Sequence, residues 1–132
     1  MDKKPAKLAY RASRRPMGVF AVRNLVSGKI FVGSSTDLSA VFSRIRFQLY
    51  AGGHPNKPLE ADWKTYGTGK FEFEVLEELA PQEDPNYDPA SDLEALEDLW
   101  LEKLQPYGDN GYNEKKEGSD ERLRMIASNQ QQ

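Results

Sequence analysis

Cysteine is absent from this chain of 132 residues, which excludes disulfides, thiolate metal sites and cysteine nucleophiles. A single histidine, His54, rules out a multi-histidine metal centre. No apolar run approaches the ~20 residues that a bilayer-crossing helix needs, and no membrane association is expected. The basic start Met1-Asp2-Lys3-Lys4-Pro5 leads into no apolar core, so a secretory leader is not expected either, and a cytoplasmic protein is. Phosphate-binding glycine loops, dinucleotide glycine patterns and a serine nucleophile elbow are all missing. Acidic residues are scarce at first: residues 1–57 hold eleven Lys/Arg against Asp2 and Asp37, a balance of +9. The remainder carries −12, for a net charge of −3. Such asymmetry suits a local electropositive front facing phosphate, although a solvated surface of two signs gives the same count. A whole-chain pI near 5.3 is not that of a protein that coats DNA.

What is present is an ordinary globular mixture, 38% hydrophobic and 30% charged, enough for one domain with a modest core. The pattern predicts a basic arm at 1–16, a domain at 17–113 and a flexible tail at 114–132. From Met17, the residues Val19, Phe20, Val22 and Leu25 predict a strand. Asn24 to Lys29 form a hairpin connection with Gly28 at positive φ, and Ile30-Phe31-Val32 return. Ser35 or Asp37 caps a helix whose apolar stripe is Leu38, Val41, Phe42, Ile45 and Leu49, ending at Gly52-Gly53. After a loop at 54–58, a second helix runs from Leu59 to Tyr66. Phe71-Glu72-Phe73-Glu74-Val75 alternates as a third strand with Phe71, Phe73 and Val75 inward. A capping box of Ser91 and Glu94 opens a last helix with a buried stripe of Leu93, Leu96, Trp100 and Leu104. Trp63, Tyr66, Phe71, Phe73 and Trp100 read as core and not as base-stacking platforms.

One ordered string is more specific than any single piece. Gly18-Val19-Phe20 is followed about ten residues later by Phe31-Val32-Gly33-Ser34-Ser35 and Asp37-Leu38. Then come Gly53-His54-Pro55-Asn56, Leu59, Trp63, Tyr66-Gly67, Phe71-Glu72-Phe73, Glu97-Asp98-Leu99-Trp100-Leu101 and Gly111-Tyr112-Asn113. In order and spacing this resembles the GIY-YIG nuclease family over residues 17–113, above all its single-domain bacterial and intron-homing branch. The resemblance implies an α+β fold, a three-stranded antiparallel sheet flanked by helices. It also implies phosphodiester cleavage with one divalent metal, Mg²⁺ or Mn²⁺. In the family two tyrosines, an arginine and a histidine surround the scissile phosphate, a glutamate holds the metal and a late asparagine supports the site.

Carried over position by position, the tyrosines fall at Phe20 and Phe31, the arginine at Val41 and the histidine at Ile45. Glu97 matches the metal glutamate and Asn113 the asparagine. Phenylalanine supplies none of the ~100- to 10,000-fold help of acid–base catalysis, and valine offers no bidentate grip on phosphate. The four apolar residues are expected to plug the phosphate cleft with packing. Arg44 and Arg46 lie close in sequence as partial substitutes, although a helical wheel sets them roughly 100° from the Val41/Ile45 direction. His54 either touches phosphate, helps activate water, or anchors its loop.

Three functions follow from these residues. The first is a nucleic-acid-binding protein, with DNA the expected partner, whose cleavage is lost or weakened. The second is a working nuclease with a reorganised site of Glu97, His54, Asn113 and Arg44 or Arg46. The third is a protein-interaction module whose partner meets the acidic 72–102 surface, which holds twelve Asp/Glu and no Lys/Arg.

Overall fold

The computed structural model describes residues 15–115. The basic arm, apart from Arg15 and Pro16, and the tail, apart from Glu114 and Lys115, lie outside the described residues. Three strands, β1 (Gly18–Asn24), β2 (Ile30–Ser35) and β3 (Phe71–Glu78), form one antiparallel sheet in the order β2-β1-β3. The helices are α1 (Leu38–Ala51), α2 (Lys57–Tyr66) and α3 (Ala90–Leu104). The expected α+β architecture is the observed one.

The composition of β1 explains its central place. Both of its side-chain parities are apolar, as a strand covered on both faces requires. Phe20 and Val22 join Leu38, Val41, Ile45 and Leu49 of α1, Leu59 and Trp63 of α2, and Phe71 in one core. Val19 and Ala21 point the other way, into a second core with Ile30 and Val32 of β2 and Leu101 of α3. Helices α1 and α2 therefore cover one face and α3 the other.

Local chemistry sets the helix ends. Asp37 is the N-cap of α1, its carboxylate accepting from the Ala40 N–H at 3.1 Å. Ser35 supports that cap, its hydroxyl accepting from the Asp37 N–H at 3.0 Å. Gly52, at φ 81°, closes the helix in the left-handed region, where a Cβ would be strained. Helix α2 begins two residues before the expected Leu59, at Lys57, because the Asn56 side chain caps it and Pro58 fits the first turn.

Several expectations need correction. Ser91 and Glu94 form no capping box: α3 starts at Ala90 without a side-chain cap, and Asp88 accepts from the Ala90 N–H instead. Val75 is 44% exposed, not inward. The β1–β3 register slips between Val19 and Phe20, whose partners are Glu77 and Val75. The extra residue, Leu76, packs on the α3 face, and beyond it Glu77 lies on that face too, where it accepts from Trp100. Tyr66, expected in the core, is 38% exposed. The innermost residues of α3 are Leu93 and Leu101; Leu96, Trp100 and Leu104 are only partly buried.

The two sheet edges are handled differently. On β2, Ile30 forms a parallel bridge to Gly111, and its carbonyl accepts from the Tyr112 N–H at 3.0 Å. On β3, Glu72, Glu74, Glu77 and Glu78 place charge along the strand, which discourages pairing with another chain.

Candidate functional site

Beside the edge strand β2 lies a cleft of about 550 Å³. Phe20 and the β2 residues Phe31 to Ser34 form its floor, and Val41, Arg44, Ile45 and Gln48 of α1 one wall. His54 and Pro55 close one end, while Glu97 and Leu101 of α3 and the segment Asn113–Glu114 approach from the opposite face. Because β2 is an edge strand, side chains from both faces of the sheet can meet around it. Residues 20, 31, 41, 44, 45, 54, 97 and 113, scattered through the sequence, thus share one cleft.

The apolar members are held by packing. Phe20, Val41 and Ile45 are each 3% exposed. The Phe20 ring lies 6.3 Å from Phe31 and edge-on to Phe42 at 5.7 Å, between centroids. It covers Gly33 so closely that a Cβ there would stand 2.6 Å from the ring's Cζ. The expectation of a plugged cleft is half met: its base is apolar and dense, but the space above remains open between Arg44, Gln48, Ser34 and Glu97.

Arg44 reaches this cleft although the helical wheel sets it off the Val41/Ile45 direction, because the opening extends up the side of α1. Arg46 does not reach it. Its guanidinium lies over the Phe73 ring at 4.2 Å, in a separate groove beyond α1.

His54 is 3% exposed. Its Nδ1 accepts from the Asn56 N–H at 2.9 Å, and the His54 backbone N–H donates to Glu60 Oε2 at 3.0 Å. An occupied Nδ1 on a neutral ring assigns the proton to Nε2, leaving no lone pair to take a proton from water. Burial holds the imidazole pKa below its ordinary 6.5; Lys57 and Arg44 push the same way and Glu60 opposes them. Buried Glu60 itself feels burial pushing its pKa up, but Lys57 at 3.5 Å, Lys64 at 3.4 Å and the His54 N–H outweigh it and hold it low.

Asn113 uses its amide on the backbone of β2. Its Oδ1 accepts from the Val32 N–H at 2.9 Å and its Nδ2 donates to the Val32 carbonyl at 2.8 Å. Next to it stands a cluster that sequence reasoning missed. The Tyr112 hydroxyl accepts from buried Asn24 at 3.0 Å and donates to Asp62 at 2.7 Å, while Asn56 donates to the Tyr112 carbonyl at 2.7 Å. Burial, with Asp62 adding to it, pushes the Tyr112 pKa up to about 12. The only sequence signal was an uncharged polar residue, Asn24, ending an apolar strand. Gln48 and Ser34 were also overlooked as cleft residues, although Gln48 follows Arg44 by one helical turn.

Glu97 is half-buried at the rim, one turn before Leu101. Among the described residues no three His, Cys, Asp or Glu side chains gather where they could hold a metal. The donors therefore do not fit an all-protein cage. A Mg²⁺ or Mn²⁺ ion at this cleft would have the Glu97 carboxylate to hold it and would take its other ligands from water and a substrate phosphate, a mode common for Mg²⁺. Such an ion would supply positive charge to a developing oxyanion.

The comparisons with known proteins bear on this arrangement. The catalytic domain of the homing endonuclease I-TevI matches with a TM-score of 0.63 at 25% identity, over 76% of this chain and 99% of that one. The chain has the GIY-YIG nuclease fold. A point variant of the same I-TevI domain matches over 74% of this chain and 92% of its own, with a TM-score of 0.62 at 24% identity. In sequence, intron-associated endonuclease 1 of Enterobacteria phage T4 is 27% identical over 96 residues, 73% of this chain and 36% of the relative. The chain thus spans about a third of that relative's length. No family model matches. Phe20 and Phe31, where the resemblance sets the two name-giving tyrosines, both line the cleft.

Proposed function

We propose that this GIY-YIG-fold protein binds nucleic acid, with DNA the expected form, and that its metal-dependent phosphodiester cleavage is lost or much weakened. The observation that carries the reading is the apolar cleft base of Phe20, Phe31, Val41 and Ile45, the residues that the resemblance sets at the four polar positions of the family. Hydroxyls, guanidinium and imidazole are replaced by hydrocarbon packed into the core. Binding is supported by Arg44 at the open rim and by the basic bias of residues 1–57.

A second reading, a reorganised nuclease, draws support from Arg44, His54, Glu97 and Asn113 lining the same cleft. Three hydrogen bonds weigh against it. The His54 Nδ1 is occupied by Asn56, and the Asn113 amide by Val32. The interaction-module reading has weaker support, because part of the acidic 72–102 run is used within the chain. Glu74 pairs with Arg23 at 2.8 Å, and Glu77 accepts from the Trp100 indole at 2.9 Å.

The test is incubation of the protein with supercoiled plasmid and with single-stranded DNA in Mg²⁺ or Mn²⁺, beside Glu97→Ala. The expected result is no cleavage, together with DNA binding whose affinity falls steeply with salt. Nicking that disappears in Glu97→Ala overturns the proposal in favour of a working nuclease. No DNA affinity at low salt, with a protein co-purifying, favours an interaction module.

A further inference from the structure

We infer that the outer face of α1 is a stacking surface for unpaired nucleotides, with Arg44 taking a phosphate and Phe47 and Tyr50 taking bases. This rests on the nucleic-acid reading above and names the form of nucleic acid. Phe47 is 71% exposed and Tyr50 82%. A surface helix normally turns polar side chains to water; here the core stripe of α1 is satisfied and two further aromatic rings face out. The helix carries Arg44 and Arg46 and no Asp or Glu. Among the described residues, neither arginine pairs with a carboxylate.

Position supports the assignment as well as composition. Residues 44, 47 and 50 are successive neighbours on the helix surface, each step rising ~4.5 Å along its axis. The row starts at the cleft, which Arg44 lines, and ends at the second groove, of about 580 Å³, which Tyr50 lines. In that groove Arg46 is held over Phe73, so positive charge flanks the rings on both sides of the helix, with Glu72 opposing it on the far wall. Aromatic rings interleaved with cations bind single strands well, because an unpaired base offers its face. In a duplex that face is covered, and most contacts go to phosphate and sugar.

Fluorescence anisotropy with a labelled strand of about 12 nucleotides, and with the duplex of the same sequence, in about 50 mM salt, tests this. The wild type should bind the single strand more tightly than the duplex. Phe47→Ala/Tyr50→Ala should weaken single-strand binding by roughly 10-fold or more and leave the duplex nearly unchanged. Phe47→Trp/Tyr50→Trp should restore it. Both positions are exposed, so circular dichroism should show every variant folded. Duplex binding without an effect of the double variant on the single strand overturns this inference and leaves the nucleic-acid reading standing. Equal losses on both forms, or a concentration-dependent dimer abolished by the double variant with oligonucleotide affinity unchanged, overturn it as well. Absence of binding to either form sinks the nucleic-acid reading first and this inference with it.

Discussion

Asn113 pairs its side-chain amide with both backbone groups of Val32, taking the place of a neighbouring strand at the edge of β2. Asn113→Ala removes both bonds next to the cleft and should cost about 1–2 kcal/mol. Asn113→Asp keeps the acceptor but sets a carboxylate oxygen against the Val32 carbonyl, and should cost more. Urea denaturation of the three proteins checks the order. Equal stability of all three would mean that water satisfies that edge.

Tyr112→Phe strips the hydroxyl that Asn24 and Asp62 share and leaves the fully buried Asn24 amide with an unmade bond. A loss of about 1–3 kcal/mol is expected. The tyrosine also gives the fold an alkaline limit. Its folded pKa, about 12, lies above the ordinary 10, so its contribution is complete below pH 10 and disappears as pH rises from 10 to 12. The variant should lose stability less steeply across that window in a pH series of denaturant midpoints.

His54, being the only histidine, gives a single imidazole signal for NMR titration. Its midpoint should lie below 6.5, because burial disfavours the charged ring. A lowered folded pKa means that the contribution is present above 6.5 and is lost as pH falls below it. Denaturant midpoints should therefore drop as pH falls below 6.5, and His54→Gln should flatten that drop. A midpoint above 6.5 would restore His54 as a cationic phosphate contact.

Gly33→Ala should be destabilising by about 1–3 kcal/mol, although Gly33 has an ordinary extended backbone. The new methyl would meet the Phe20 ring, which Phe31 and Phe42 hem in. Phe20→Leu in the same chain should recover part of the loss. Additive losses in that double variant would show that the ring and the glycine are not in contact.

The fold was largely legible because its signals are local. The stripe Leu38, Val41, Ile45 and Leu49 repeats at helical spacing whatever lies beyond it, and Val19, Phe20 and Val22 mark a strand in the same way; that β1 is covered on both faces came from the structure. The misreadings came where a partner intervenes. Val75 alternates correctly with Phe71 and Phe73 and pairs with Phe20, yet it is 44% exposed, because the helices that cover that face do not reach it. Leu101 of α3 was passed over because the burial of a helix depends on the sheet that it meets. In the cleft, Glu97 and Asn113 were named by resemblance, whereas the hydrogen bonds that tie Asn113 to Val32 span 81 residues and are tertiary facts.

The sequence by itself determined which chemistry is missing. No arrangement of Phe20, Phe31, Val41 and Ile45 can donate a proton or grip a phosphate, because those capacities belong to functional groups and not to geometry. Only the tertiary structure decided which polar groups meet there. Arg44, His54, Glu97 and Asn113 belong to different segments, and they converge because β2 lies at the edge of the sheet, where both faces open onto one cleft. It likewise decided that Arg46, two residues after Arg44, faces elsewhere: on a helix that step turns a side chain through about 200°.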